Sequence, residues 1–184
     1  MTNAIAADTR NHLLKIAIGG FVSGLLTPLL PDAIDLLSVA PRMLRLALLA
    51  LPFAVVVLFV VRWRSANPPW AALVAAIITM AAFVGAVNAA IFIDGQMAGA
   101  AKVMRSLFAG LTGGLVGAGL MALGIARLPA SPRPAAAWMP MLVTGAVAGS
   151  LLALDTSLGL DRTSFLYPVW QAGVAVRLAV ALRP

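Results

Sequence analysis

The chain has 184 residues, of which 62% are hydrophobic and 10% charged, and a formal net charge of +7. A soluble domain is about half apolar and about one quarter charged, so the expected solvent is a lipid bilayer and the expected unit is one membrane domain over residues 1–184. Cysteine and glutamate are absent and His12 is the sole histidine, which excludes disulfides, thiolate metal centres and cysteine nucleophiles.

Six apolar stretches follow in chain order, each long enough for a hydrocarbon core of about 30 Å at about 1.5 Å per residue. The first, about 13–30, lies behind Arg10, His12 and Lys15 and reads as a signal-anchor helix closed by Pro28 and Pro31. A short interfacial turn of helix is expected between Asp32 and Arg42, through Ile34, Leu36 and Leu37. The second stretch, about 43–61, carries Pro52 at its middle and is expected to be one kinked helix. The third covers about 70–93 and the fourth, rich in glycine, about 106–126. The fifth, about 138–154, has Pro140 in its first turn, and the sixth, about 165–182, has Pro168 in the same place. The fold class expected is therefore an all-α membrane bundle of six transmembrane helices. Its loops are short, and Pro68, Pro69, Pro129, Pro132 and Pro134 break those after the second and fourth stretches.

Charge alternates between the loops. Asp32, Asp94 and Asp155 follow the odd stretches, and Arg62, Arg64, Arg127 and Arg183 follow the even ones. This pattern suggests three repeated two-helix hairpins. It is supported by the alignment of Phe21-Val22-Ser23-Gly24, Phe83-Val84-Gly85-Ala86 and Ala146-Val147-Ala148-Gly149. Eight basic residues fall on the side of the termini and five on the other, so the positive-inside rule places both termini in the cytoplasm. The dispersal of arginine between apolar runs argues against nucleic acid as a partner. The prevalence of arginine, alanine and leucine suggests a GC-rich bacterial genome and a cytoplasmic (inner) membrane.

Small residues three or four apart place a smooth strip on one helix face, where backbones approach closely. Gly20 and Gly24 do so in the first stretch, Gly110, Gly114 and Gly117 in the fourth, and Gly145 and Gly149 in the fifth. These are expected to be packing contacts, within the bundle or with a partner helix. Gly110-Leu111-Thr112-Gly113-Gly114 lacks the following Lys-Ser/Thr of a phosphate loop, so no nucleotide is expected.

The polar residues within the stretches are few. Asn88, in the third, is expected to face the bundle interior, where an amide must find partners or a solute. Gln171 lies two turns into the sixth. Phe165, Tyr167 and Trp170 are expected in an interfacial aromatic belt, or else as an aromatic-lined mouth. Lys15 and Arg177 are expected to reach toward headgroups, with an inward Arg177 meeting an anionic substrate as the alternative. Asp32, Asp94 and Asp155 either cap helices and pair with arginine or form an acidic ring at the mouth of a path. No cysteine exists, no histidine lies in a stretch and no carboxylate pair sits in mid-membrane, so no catalytic residue, metal site or cofactor is expected. Two functions fit. The chain binds or moves a small solute or ion along a path near Asn88, or it is a non-catalytic membrane subunit that docks onto a larger complex or a second copy of itself.

Overall fold

A computed structural model of the protein describes residues 2–35, 41–160 and 164–183. The chain is 83% helical and the described residues contain no strand. Helix α1 spans Thr2–Leu26 and runs through a 3₁₀ turn, Thr27–Leu29, into α2, Leu30–Asp35. Pro28 and Pro31 therefore do not close the first helix. Pro28 occupies the first turn of the 3₁₀ segment and Pro31 the first turn of α2, where no backbone N–H is required. The resulting rod, Thr9–Ile34, is long and apolar enough to cross a membrane. Residues 36–40, the remainder of the interfacial turn expected after Asp32, lie outside the described residues, as do Asp161 and Arg162.

The second stretch is not one kinked helix. It is a short amphipathic helix α3, Arg42–Leu49, followed by α4, Leu51–Arg64, and the two are bent by 54°. Pro52 stands at the start of α4 rather than in a helix interior, so its missing N–H begins a new helix. Helix α5 spans Pro69–Gln96 and α6 spans Lys102–Ile125. The fifth stretch is two segments, α7 (Met139–Gly149) and α8 (Leu151–Ser157), which together pass as one apolar rod. A turn at Gly159, at φ 63°, ends α8: Gly159 N–H donates to Thr156 O at 3.3 Å and Leu160 N–H to Asp155 O at 3.0 Å. Only glycine takes that left-handed position without cost. The last helix, α9, is Leu166–Ala181.

Four helical rods are long and apolar enough to cross a membrane, and five if the bent α3–α4 pair is one crossing. Helix α9, with 16 residues, is about 24 Å long and α4, with 14, about 21 Å. Both fall short of a hydrocarbon core of about 30 Å.

The helices close into a ring in the order α1, α4, α5, α6, α7 with α8, and α9, which returns to α1. The first and last helices are thus neighbours, and α4 also reaches α9 inside the ring. The dense core lies in one half of this ring. It joins Val57, Val60 and Val61 of α4, Ala71, Ala72 and Ala75 of α5, Met121 and Ile125 of α6, Met141 of α7, and Val174 and Leu178 of α9. Small alanines on α5 and valines on α4 let the helices close without voids. Asn67 fastens the connections at that end: its Oδ1 accepts Ala130 N–H at 2.8 Å and its Nδ2 donates to Ser65 Oγ at 3.0 Å.

Candidate functional site: an apolar chamber under a polar cup

A cavity lies against the core, which shares Phe53 and Met121 with its wall. It is a half-open chamber of about 190 Å³ between α4, α5, α6, α8 and α9. Phe53, Phe83, Val87, Ile91, Leu152, Leu166, Tyr167 and Trp170 supply its apolar wall, and Gly110, Gly113 and Gly114 leave it open on the α6 side. Thr79, Met121 and Gln171 line the part nearest the core. Phe53 and Tyr167 stand near the N-terminal ends of α4 and α9. Trp170 meets Phe53 edge-on at 5.6 Å, and Phe83 faces Tyr167 at 6.2 Å between ring centroids. Tyr167 and Trp170 are wall residues of the chamber. Phe165, 50% exposed, turns outward as a belt residue would.

A second cavity of about 290 Å³ abuts the first. Leu152, Leu166 and Tyr167 are common to both and form the partition. Its other lining is polar: Lys102, Asp155, Thr156 and Ser164, with Pro28 and the Gly159 turn.

Asp155 is buried, and its carboxylate is the local organiser. Oδ2 accepts Ser164 Oγ–H at 2.6 Å and Leu166 N–H at 3.3 Å, and Oδ1 accepts Phe165 N–H at 2.9 Å. The first N–H groups of α9 have no partner within their own helix, so a carboxylate reaching in from α8 satisfies them and complements the helix dipole. Asp94, near the end of α5, is clamped by Arg105 at the start of α6: Nε donates to Oδ1 at 3.0 Å and a terminal guanidinium nitrogen to Oδ2. Asp32 is exposed. The three aspartates thus occupy three different environments, a surface, an ion pair and a helix cap, and among them only Asp155 lines a cavity.

Gln171 is buried at 1% exposure and joins α9 to α1. Its Oε1 accepts Ser23 Oγ–H at 2.6 Å and its Nε2 donates to Thr27 Oγ1 at 2.9 Å. Thr27 in turn donates to Ser23 O at 3.1 Å. Ser23 and Thr27 carry no sequence signal of this role, because serine and threonine hydroxyls in helices usually bond their own carbonyls.

Asn88 does not face the interior. It is exposed, and its Nδ2 donates to Val84 O on its own helix at 2.8 Å. The adjacent residue, Val87, lines the chamber instead. The local bond to an i−4 carbonyl satisfies the amide without a bundle partner. Arg177 is also exposed, with Nε donating to Thr144 Oγ1 at 3.3 Å, and Lys15 is exposed. Neither lines a described cavity.

The seven glycines singled out above all lie at helix contacts. A side chain on Gly20 would meet the Ala172 backbone at 2.7 Å, and one on Gly24 would collide with Pro168. Gly110 and Gly114 face Gly149 and Gly145, and a methyl on any of the four would strike the opposing helix. A side chain on Gly117 would meet Ala86 Cβ at 3.1 Å and the Trp170 ring at 3.3 Å. Two small-residue strips therefore set two close crossings, α1 on α9 and α6 on α7. Both crossings hold walls of the chamber in place.

Among the described residues no three His, Cys, Asp or Glu side chains come together. The arrangement offers shape, apolar contact and a few polar groups at one end. No family model matches the chain, and comparisons with curated proteins and with solved structures return no match either.

Proposed function

We propose that this chain is a polytopic membrane protein that binds or moves a small, largely apolar solute in the chamber between α5, α6 and α9. In this reading all six apolar stretches cross the membrane. The short helices α4 and α9 cross as thinned spans beside the cavity, and both termini lie on the cytoplasmic side of a bacterial inner membrane. The excess of arginine and lysine on the side of the termini supports that orientation. The single observation that carries the function is the half-open chamber itself, concave, aromatic-lined and set against the core. A cation path is poorly supported, since no carboxylate lines the chamber and Asp94 is held by Arg105. A docking subunit is less well supported than a solute binder, because the glycine faces that would receive a partner helix are covered within the bundle.

Bromobenzene is a suitable probe. It matches the chamber in size, and its bromine quenches tryptophan fluorescence at close range. In nanodiscs, quenching of the Trp170 contribution, taken as the difference between wild type and Trp170→Phe, should saturate. Val87→Phe, which fills the chamber, should abolish the saturable part. Equal saturable quenching in Val87→Phe and wild type would refute the proposal.

A further inference from the structure

The two cavities differ in chemistry and share a wall, and this juxtaposition specifies more than an apolar solute. The chamber is lined almost wholly by hydrocarbon, and the cup beside it carries Lys102, Thr156 and Ser164. We infer that the pair takes one amphiphile, with its apolar body in the chamber and an anionic head, a carboxylate or phosphate, beside Lys102. This inference rests on the solute-binding reading above and adds the class of ligand.

Charge decides the sign of the head. Asp155 also lines the cup, but its two oxygens accept Ser164 Oγ–H and the backbone N–H groups of Phe165 and Leu166. Those donors and the N-terminal end of α9 stabilise its negative charge and hold it against the start of that helix. Arg105, one turn beyond Lys102, is paired with Asp94. Lys102 is exposed and has no carboxylate partner among the described residues. Among the described residues Lys102 is therefore the cup's one cation without a carboxylate partner, and an acidic head complements it. Size sets the body. A core cavity of about 150 Å³ holds a benzene ring, so a chamber of about 190 Å³ takes about seven or eight carbons on the same scale. The partition of Leu152, Leu166 and Tyr167 lies where head and body would join.

The test uses 8-bromooctanoate and 8-bromooctanol at pH 8 with the full chain in nanodiscs. The bromine at the tail end reports on Trp170, and the Trp170→Phe difference removes the other tryptophans and lipid partitioning. The acid should bind more tightly than the alcohol. Lys102→Met should weaken the acid about three- to fivefold, the range of a solvent-exposed ion pair, and leave the alcohol unchanged. Val87→Phe should weaken both, with its melting temperature showing that the fold is retained. Acid and alcohol binding equally, with Lys102→Met changing neither, would overturn the amphiphile inference and leave the chamber reading standing. Absence of saturable quenching by either compound would overturn both.

Discussion

Replacing Asp155 probes the link between the cup and the last helix. In Asp155→Ala the hydroxyl of Ser164 and the N–H groups of Phe165 and Leu166 lose their acceptor together. A missing helix cap costs about 0.5–2 kcal/mol, and a donor left unpaired in a buried setting about 1–3 kcal/mol. Phe165 is half exposed, so water recovers part of the loss there. The expected destabilisation is about 2–3 kcal/mol. Asp155→Asn keeps one acceptor oxygen for the 2.9 Å bond to Phe165 and should recover about half of the loss. The assay is equilibrium unfolding in mild-detergent micelles by titration with a denaturing detergent, followed by far-ultraviolet circular dichroism. A double-mutant cycle with Ser164→Ala separates the hydroxyl contact from the backbone cap. If Asp155→Ala unfolds within about 0.5 kcal/mol of wild type, the cap contributes nothing to stability and the account of α9 fails.

Other consequences are more local. Gly149→Ala and Gly114→Ala place a methyl against a facing backbone and should each cost about 1–3 kcal/mol by overpacking. Gly99→Ala, with open space around the added carbon, should be neutral by the same melting measurement. Gln171→Leu removes both links to α1, from Ser23 and to Thr27, and should lower stability by about 1–3 kcal/mol. An unchanged melting temperature would show that packing through Gly20, Gly24, Leu13 and Ile16 holds α1 without these hydrogen bonds. Asn88→Leu should leave both stability and bromobenzene quenching within error of wild type, because the amide bonds only its own helix. A loss of binding would return Asn88 to the site. Asp94→Asn should cost less than about 1 kcal/mol, since the pair is partly solvent-exposed.

The helical class, the presence of helices long and apolar enough to cross a membrane, and several approximate helix bounds are legible in the chain alone. Long apolar runs leave the backbone no alternative to internal hydrogen bonding in a bilayer, and third and fourth runs expected at 70–93 and 106–126 appear as Pro69–Gln96 and Lys102–Ile125. Close spacing of glycine in the first, fourth and fifth runs also locates surfaces where backbones meet, because that property belongs to one helix face. Proline was ambiguous. Pro52 can kink a helix or start one, and the choice depends on what lies against it, so the bend between α3 and α4 emerges only in the fold. The direction of each polar side chain is likewise undecided by sequence. Asn88 and Val87 are adjacent, about 100° apart around α5, and the rotation of that helix decides which of them meets the chamber. Packing of α5 on α6 and α4 sets that rotation. The union of Gln171 with Ser23 and Thr27 spans a separation of 148 and 144 residues and arises because the ring closes α9 onto α1. The chamber itself belongs wholly to tertiary structure. Its lining, from Phe53 to Gln171, comes from five helices that only the fold brings together.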